Sequence, residues 1–385
     1  MIKITDKSRC TGCHACTSIC PQNCIKMTQD EEGFLYPAVD YASCIDCGLC
    51  ENICPILNPK NNDNTFENIY AYAAHTKNES IRMESSSGGI FSEIASYVIS
   101  QGGVVFGAAF DDVLQVRHIC VEHIEELWKL RGSKYVQSII GDAYRGAERY
   151  LKQGRLVLFT GTPCQIGGLY SYLRHMYENL ITQDIICHGV PSPLVWEKYI
   201  TYREKAAASK IQKAFFRNKK YGWKMYSVQF KFLNCTEYLQ RFDKDPYMKS
   251  FLENLDLRPS CYACAFKNKI RQSDITLADF WGIQNLMPEA DDDKGTSLLI
   301  INSIKGDKLI KNVKNNLIFW PADFEKAIYY NSSITKAAEL PPSRSAFFED
   351  LKEKDFHFME QKYLKIPFIK KVKSKIKNML KSNMK

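Results

Sequence analysis

Apolar residues at helical spacing, followed by a continuous apolar run, form the first regular pattern beyond residue 66. Ile90, Ile94 and Val98 recur at every fourth position, and Phe91 and Ala95 widen the apolar stripe. This spacing is typical of an amphipathic helix with one buried face. The run "GGVVFGAAF", which follows, contains no polar side chain and predicts a buried strand.

The start of this helix carries the motif "SSSGG", residues 85–89. Serine side chains cap helix N-termini, and glycines leave backbone N–H groups open to a ligand. The motif therefore predicts either a plain N-terminal cap or a helix start that holds a phosphate group. No G-x-G-x-x-G motif follows a strand, so a dinucleotide is not expected to be held by a standard Rossmann fingerprint.

A strand, a helix and a second strand are predicted in the middle of the chain. "LVLFT" (156–160) and "LITQDIIC" (180–187) are short apolar runs, and the segment between them has helical periodicity. A crossover of about a dozen residues is typical of a parallel βαβ unit. Because parallel strands end at the same edge of a sheet, we expect Cys164 and Cys187 to lie together there, where open α/β sheets bind ligands.

The chain has fifteen cysteines in 385 residues, and eight of them belong to two repeated runs. "CTGCHACTSICP" (10–21) and "CIDCGLCENICP" (44–55) share the spacing C-x2-C-x2-C-x3-C-P, with which bacterial ferredoxins bind two 4Fe–4S clusters. The fourth cysteine of each run binds the other cluster. The predicted ligands are Cys10, Cys13, Cys16 and Cys54 for one cluster, and Cys44, Cys47, Cys50 and Cys20 for the other. Two zinc sites are the alternative, since zinc also binds four thiolates.

Four further cysteines form a candidate third site. They are Cys164, Cys187, Cys261 and Cys264, of which the last two form a C-x2-C pair in "RPSCYAC". Four thiolates predict a third 4Fe–4S cluster or a zinc ion, and unliganded thiols are the remaining alternative. The other three cysteines, Cys24, Cys120 and Cys235, are expected to pack in the core as small apolar residues.

These patterns predict a protein of the α+β or α/β class with three parts. Two short strands around a turn are expected between the cysteine runs, and the polar stretch 58–65 is a predicted linker. The predicted parts are an N-terminal bacterial-ferredoxin-like two-cluster domain (1–58), a mixed α/β domain (66–360) divided at about residue 150 into parts 66–150 and 151–330, and a basic tail (361–385).

Charge and hydropathy narrow the location and the partners. The sequence begins without the apolar segment that is typical of a signal peptide. It also contains no run of about 18 apolar residues, which a membrane-spanning helix would need. We therefore expect a cytoplasmic protein whose cysteines serve metal or redox chemistry rather than disulfides. The net charge is +9, and residues 361–385 account for all of it, because 43 basic and 43 acidic residues remain without them. This balance gives no indication of nucleic-acid binding.

The tail has its own pattern. Ile369, Val372, Ile376 and Met379 recur at helical spacing among lysines. Such a basic amphipathic helix predicts contact with the anionic inner face of a membrane. A solvated tail is the alternative.

Six motifs together resemble the beta-subunit family of coenzyme F-420 (deazaflavin) hydrogenases and dehydrogenases. They are "SSSGGIF", "RGSKYVQS", "LFTGTPCQIGGL", "DIICHGVPSP", "RPSCYAC" and "SDITLADFWG". The resemblance implies a flavoprotein in which FAD lies next to a 4Fe–4S cluster and exchanges electrons with a small molecule. It extends to bacterial members associated with polysaccharide gene clusters, so it also implies a setting in polysaccharide biosynthesis.

The resemblance also implies roles for individual residues. The residues implied to face the FAD phosphates or ring are Ser86, Ser87, Gly88 and Gly89. Those implied to line the flavin or substrate pocket are Ser133, Lys134, Tyr135 and Gln137, and those implied to pass close to the flavin are Thr160, Gly161, Thr162 and Pro163. The implied ligands of the third cluster are Cys164, Cys187, Cys261 and Cys264. Lys134 is the candidate catalytic residue, as a proton donor or anion-binding group, with a structural ion pair as the alternative. Asp274 and Asp279 are expected to orient ligands or to cap strand ends, and Trp281 to lie in the core or against the flavin.

The predicted function is that of an iron–sulfur flavoprotein oxidoreductase. Electrons would pass between ferredoxin-type clusters, FAD and a small-molecule substrate or coenzyme, with an electron-donor or electron-acceptor protein or a reduced coenzyme as partner. The alternative is an electron-transfer subunit that feeds a partner enzyme and has no substrate of its own.

Overall fold

The computed structural model describes residues 1–59 and 69–365. The strands are β1 (Ile25–Gln29), β2 (Leu35–Val39), β3 (Tyr70–Thr76), β4 (Val104–Phe110), β5 (Val116–Val121), β6 (Val157–Thr160), β7 (Leu180–Ile185), β8 (Ile211–Asn218), β9 (Ser227–Phe232), β10 (Glu237–Arg241), β11 (Ile275–Asp279), β12 (Ser297–Ile301) and β13 (Leu317–Ala322). The helices are α1 (Ala15–Ile19), α2 (Leu49–Asn52), α3 (Glu79–Glu84), α4 (Ile90–Ser100), α5 (Ala143–Lys152), α6 (Pro163–Leu173), α7 (Pro193–Ala207), α8 (Pro246–Leu252), α9 (Ile283–Leu286), α10 (Ile304–Val313), α11 (Phe324–Tyr329), α12 (Arg344–Glu353) and α13 (Phe356–Met359). Within the two described ranges, no helix has the length and apolar character needed to cross a membrane.

Two predicted segments fall wholly or largely outside this description. The predicted linker is described only at residues 58 and 59, and the residues predicted to form the tail helix all lie beyond residue 365. The linker and the tail helix therefore stay predictions.

The N-terminal unit consists of a two-stranded sheet and two short helices. β1 and β2 are antiparallel, with Ile25 opposite Val39, which confirms the two strands predicted between the cysteine runs. α1 and α2 begin inside the two cysteine runs, directly after His14 and Gly48. Each run therefore starts as an open loop and continues as a helix that carries its third cysteine.

A mixed sheet of eight strands forms the centre of the body, in the order β13-β3-β12-β11-β7-β6-β4-β5. The four neighbours β11, β7, β6 and β4 run parallel to one another. Val157 of β6 lies opposite Leu180 of β7, and α6 connects the two strands, so the predicted parallel βαβ unit is confirmed. The parallel strands all end at one edge of the sheet, where Thr160 ends β6 and Cys187 follows β7.

Helices cover both faces of the large sheet. α4 and α10 pack on one face, and α5 and α6 pack on the other. Neighbouring strand residues point to opposite faces, so that Val105 belongs to the first layer and Val104 to the second. Burial on both faces explains why the strands are continuous apolar runs in the sequence. Ala15 of α1 is fully buried in the second layer, and the N-terminal unit therefore shares a core with the body.

A smaller antiparallel sheet, in the order β10-β9-β8, completes the body. It packs with α7, α8, α12 and α13 around an aromatic core that includes Trp196, Phe216 and Phe230. Phe34, from the turn before β2 of the N-terminal unit, is fully buried in the same core. A fully buried side chain of this size contributes about 1.5–3 kcal/mol of free energy. The N-terminal unit is thus packed against both parts of the body.

The start of α4 differs from the prediction. Gly89 is the N-cap residue, with a φ of +82°, and no side chain caps the helix there. Ser85 instead donates its hydroxyl proton to the Ile81 carbonyl, at 2.6 Å, in the preceding helix α3. A left-handed backbone is favourable for glycine and costly for serine. The predicted serine cap is therefore wrong, and the glycine takes its place.

Candidate iron–sulfur and flavin sites

The two predicted ferredoxin ligand sets line two separate cavities. Cavity I, of about 390 Å³, contains the first set, Cys10, Cys13, Cys16 and Cys54. Cavity II, of about 360 Å³, contains the second set, Cys20, Cys44, Cys47 and Cys50. The exchange of the fourth cysteine between the runs, expected from their spacing, is thus present in the fold. Cys24, expected as a core residue, is buried but also lines cavity II, where its Sγ lies 3.4 Å from Cys20 Sγ.

The four body cysteines line a third cavity of about 470 Å³, cavity III. Cys164 lies in the first turn of α6, and Cys187 follows β7. Cys261 and Cys264 come from a short 3-10 turn, Pro259–Cys261, and the loop after it. The sheet edge at the ends of β6 and β7 therefore brings Cys164 and Cys187 together with the Cys261 and Cys264 pair, as predicted.

The thiols of these cavities have the chemistry of cluster ligands. Burial, together with neighbouring cysteines, raises the pKa of Cys13, Cys187 and Cys261 to about 12 each. Such thiols, in cavities I and III, stay protonated near neutral pH unless a cationic centre binds them as thiolates. At least four cysteines line each of the three cavities, and this donor set fits a metal centre.

Zinc and a 4Fe–4S cluster place different demands on four thiolates. In the ranges 1–59 and 69–365, no three His, Cys, Asp or Glu side chains stand close enough to hold a single metal ion. The four thiolates of a zinc site all bind one ion, whereas each thiolate of a 4Fe–4S cluster binds its own iron.

Cavities I and III are neighbours. Thr11, which follows the first ligand of the N-terminal unit, lines both of them. On the other side, Gly168 of α6 lies so close to Cys13 that an added Cβ would come within 2.9 Å of Cys13 Cβ. The first ferredoxin site and the third site are therefore separated by little more than one backbone segment.

A large cleft opens at the carboxyl ends of the parallel strands. It has a volume of about 1970 Å³, is open to solvent, and shares Cys187, His188, Gly189, Val190 and Ser333 with cavity III. Nine of the twelve residues implied for the flavin line it: Ser86, Ser87, Gly89, Ser133, Lys134, Tyr135, Thr160, Gly161 and Thr162. Three sequence regions far apart in the chain are thus brought to one cleft.

The other three implied residues lie outside the cleft. Gly88 is pressed between β3 and β12, where its N–H donates to Ser297 Oγ. Pro163 lines cavity III instead. Gln137 is buried at the contact with the N-terminal unit, and its Nε2 donates to the Thr11 carbonyl at 3.1 Å. Gln137 therefore has a place between the two parts of the protein rather than in the flavin cleft.

Lys134 lies on the cleft with its amine turned inward. Its Nζ donates to the carbonyls of Lys129 and Arg131, at 2.9 and 3.0 Å. Burial lowers the pKa of Lys134 to about 7. These partners are neutral, so they do not form the structural ion pair that was the alternative, and the amine can gain or lose a proton near neutral pH.

Asp279 and Trp281 both contact Arg217, which the sequence motifs did not identify. Arg217 of β8 donates to both carboxylate oxygens of Asp279, at 2.7 and 3.1 Å, and to the Tyr135 hydroxyl. Trp281 stacks on Trp223, with ring centroids 5.1 Å apart, and also lines the cleft. Arg217 comes from a segment with no metal-ligand spacing or glycine motif, so nothing in the sequence pointed to it.

His118 lines the cleft, whereas Asp274 is not among its lining residues and joins two strands of the sheet. His118 of β5 has Nε2 2.9 Å from the Thr160 carbonyl and Nδ1 3.0 Å from Ser138 Oγ, and burial lowers its pKa to about 4. The imidazole is therefore neutral and fixes the strand end that carries Thr160. Asp274 accepts hydrogen bonds from the Thr182 N–H and hydroxyl, at 2.8 and 3.0 Å, which ties β11 to β7.

A ferredoxin unit joined to an α/β body with a large cleft defines an iron–sulfur redox protein. Residues 9–57 match the family model of a 4Fe-4S dicluster domain. Residues 71–143 match that of the coenzyme F420 hydrogenase/dehydrogenase beta subunit N-terminus, and residues 154–326 match that of the same subunit's C terminus. The chain therefore belongs to the coenzyme F420 hydrogenase/dehydrogenase beta-subunit family, and it is an iron–sulfur member of an oxidoreductase family.

Comparison with solved structures gives a more distant likeness. A chain of the F420-reducing [NiFe] hydrogenase complex from Methanosarcina barkeri is 15% identical in sequence. The alignment covers 71% of the present chain and 96% of the hydrogenase chain, with a TM-score of 0.47. No curated protein sequence matches the chain.

Proposed function

We propose that the protein is an iron–sulfur flavoprotein oxidoreductase. Electrons pass between the two ferredoxin clusters, a third 4Fe–4S cluster in cavity III and FAD in the cleft, and from there to or from a small-molecule substrate or coenzyme. The continuity of the sites carries this proposal: Thr11 lines both cavity I and cavity III, and five residues line both cavity III and the cleft.

Backbone N–H groups support the thiolates in this proposal. The Ile2 N–H donates to Cys50 Sγ at 3.2 Å, and the Val190 N–H donates to Cys261 Sγ at 3.4 Å. Hydrogen bonds to ligand sulfur stabilise negative charge and set the reduction potential of a cluster. Val190 also lines the cleft, so one short segment contacts both proposed cofactors.

The start of α4 supports FAD in the cleft. Gly89, Ile90 and Phe91 all line the cleft, and the N-cap residue of α4 forms no side-chain cap hydrogen bond. A helix N-terminus with open N–H groups favours phosphate, and Ser86 and Ser87 add hydroxyls beside it. Bound FAD supplies the exchange between one-electron and two-electron transfer. Lys134, with a pKa of about 7, holds or releases a proton at the cleft wall near neutral pH.

The second candidate is an electron-transfer subunit that feeds a partner enzyme and has no substrate of its own. The family description as a beta subunit favours it, since a beta subunit works with other chains. Stable co-purification with a second protein, together with a lack of bound flavin, would support this candidate. Involvement in polysaccharide biosynthesis and contact of the tail with a membrane stay predictions.

The test is iron and flavin content of anaerobically purified protein. We expect about 12 iron atoms, which correspond to three 4Fe–4S clusters, and about one FAD per chain. Cys264→Ser should lower the iron content to about 8 atoms by emptying cavity III. The control is Cys235→Ser, because Cys235 is exposed, which shows its predicted core position to be wrong, and it lines none of the three cavities.

Two results would overturn the proposal. About 8 iron atoms in the unaltered protein would leave cavity III without a cluster. Three clusters without flavin would refute the flavoprotein and leave the electron-transfer subunit.

A further inference from the structure

Arg258 of the body reaches into the N-terminal unit and contacts a cluster ligand. Its side chain is fully buried. Nε donates to the Cys10 carbonyl at 2.7 Å, and Nη2 donates to the Leu35 carbonyl at 3.0 Å and lies 3.6 Å from Cys10 Sγ. The guanidinium also lies over the Tyr36 ring, 4.2 Å from its centroid.

Arg258 differs from the other buried arginines in its partners. Four others each pair with a carboxylate: Arg82 with Asp292, Arg217 with Asp279, Arg271 with Asp184, and Arg344 with Glu32. The remaining Arg258 nitrogen, Nη1, donates to the neutral Gln137 amide oxygen at 2.9 Å. Among residues 1–59 and 69–365, no carboxylate lies within ion-pair distance of Arg258.

A buried guanidinium needs a counter-charge. Arginine keeps its proton in proteins, and a buried charge without an opposite charge is strongly destabilising. Of the groups that Arg258 contacts, only the Cys10 sulfur can carry a negative charge, as a thiolate bound to a cluster. Cavity I, which Cys10 lines, is therefore where the missing negative charge belongs.

We propose that Arg258 is the counter-ion of the cluster in cavity I and raises the reduction potential of that cluster. The proposal rests on the proposed function, in that cavity I holds a cluster. Reduction adds one negative charge to the cluster, and a cation at its ligand stabilises the reduced state more than the oxidised one. Arg258 is thus a positioning residue that tunes a cofactor and does not contact the substrate.

The backbone of Arg258 connects this effect to the third site. The Arg258 carbonyl accepts a hydrogen bond from the Cys261 N–H at 2.8 Å. Its partner Gln137 holds the Thr11 carbonyl, at the segment shared by cavities I and III. One residue therefore fixes a ligand loop of cavity III and sets the charge at cavity I.

The experiment is an anaerobic redox titration of the full-length protein, followed by electron paramagnetic resonance. The signal of the cluster in cavity I is identified by its change in Cys16→Ser. In Arg258→Met, we expect the ratio of oxidised to reduced cluster I at a fixed potential to rise at least tenfold, which is a fall of about 59 mV in its midpoint for a one-electron couple. The midpoint of the cavity II cluster should stay unchanged, and that of the cavity III cluster should shift less than that of cluster I, because the charge of Arg258 also acts on Cys261.

A second variant tests the effect of the Arg258 charge without removing the arginine. Gln137→Glu is nearly isosteric and places a carboxylate beside Arg258 Nη1, so it should also lower the midpoint of cluster I. It serves as the test if Arg258→Met does not assemble. The matched control is Arg344→Met: Arg344 also joins the body to the N-terminal unit, through Glu32 at 2.8 and 2.6 Å, but its contacts do not include Cys10.

The outcomes separate this inference from the proposed function. Unchanged midpoints in Arg258→Met and Gln137→Glu, with iron still bound, would overturn the counter-ion role and leave the oxidoreductase proposal intact. An equal shift in Arg344→Met would also overturn it, because the effect would then come from docking of the N-terminal unit. Absence of a cavity I signal in the unaltered protein would refute the proposed function itself.

Discussion

Buried charged side chains at the cleft and at the cluster sites are held by different kinds of partner. Arg217 has a carboxylate, whereas Lys134 has only carbonyl oxygens. An ammonium without an opposite charge is destabilised by burial, and this explains why the pKa of Lys134 falls to about 7 while the charge of Arg217 is retained. Lys134 is therefore a residue whose protonation changes in the physiological range.

The lowered pKa predicts how stability depends on pH. The pKa of Lys134 is 10.5 in its ordinary state and about 7 in the fold. Between these values the unfolded chain binds more protons, so stability rises as the pH increases from about 7 to 10.5, and the cost of burying the charge is largest below pH 7. Lys134→Met should make the melting temperature rise less steeply between pH 7 and 10, measured by circular dichroism under anaerobic conditions.

The control for this prediction is Lys231→Met, on the exposed side of β9. It should leave the slope unchanged. Lys219, whose pKa burial lowers to about 7 as well, remains in the variant, so a residual slope is expected. A slope equal to that of the unaltered protein in Lys134→Met would show that Lys134 keeps its charge in the fold.

At the scale of single elements, the loop before α4 is fixed by close packing rather than by capping. An added Cβ at Gly88 would come within 2.3 Å of the Ala74 carbonyl in β3 and 2.9 Å of the Ser297 N–H in β12. Real Cβ atoms do not approach backbone this closely, so the loop can lie here only with glycine. The position of Ser86 and Ser87 at the cleft depends on this contact.

Gly88→Ala should therefore remove flavin. Overpacking of this kind costs about 1–3 kcal/mol, and the shift moves the proposed phosphate-binding loop away from the cleft. We expect the flavin content to fall several-fold, with iron content unchanged. Gly102→Ala is the matched control: this glycine has a φ of +72° but no atom within 4 Å of an added Cβ, so its variant should lose some stability and keep flavin. Full flavin content in Gly88→Ala would show that this loop does not hold the flavin.

The elements that the sequence predicted well are those with a strong local signal. The cysteine runs have fixed spacing, and the βαβ unit combines two apolar runs with a helical crossover, so the local sequence is sufficient to predict both. The start of α4 was predicted with the wrong cap because serine and glycine are both common there, and packing of Gly88 against β3 decides between them. Arg217 and Arg258 have no local signal, since their partners lie 62 and 248 residues away.

At the scale of the whole molecule, cavity I, cavity III and the cleft form one line through shared residues. Cavity II is lined by residues of the N-terminal unit and shares none of them with the other three sites. The spacing of the cysteines indicated iron–sulfur chemistry but not the order of the sites, because that order depends on how α1 packs against α6. Under the proposed function, we expect a protein partner to exchange electrons at cavity II and a small molecule to exchange them at the cleft.

The exposure of the ligands predicts which cluster is lost first. Among the cysteines that line the three cavities, Cys47 of cavity II is the exposed one, whereas the others are partly or fully buried. Oxidant and chelator should therefore remove iron from cavity II before cavities I and III. Samples taken during treatment with ferricyanide and a chelator, alkylated with iodoacetamide and mapped by mass spectrometry, should show Cys44, Cys47 and Cys50 modified first. Cys235, exposed and outside the cavities, should react from the start and provides the reference. Earlier modification of Cys164 or Cys261 would place the solvent-facing end of the line at cavity III, and the partner protein would then have to meet the body instead of the N-terminal unit.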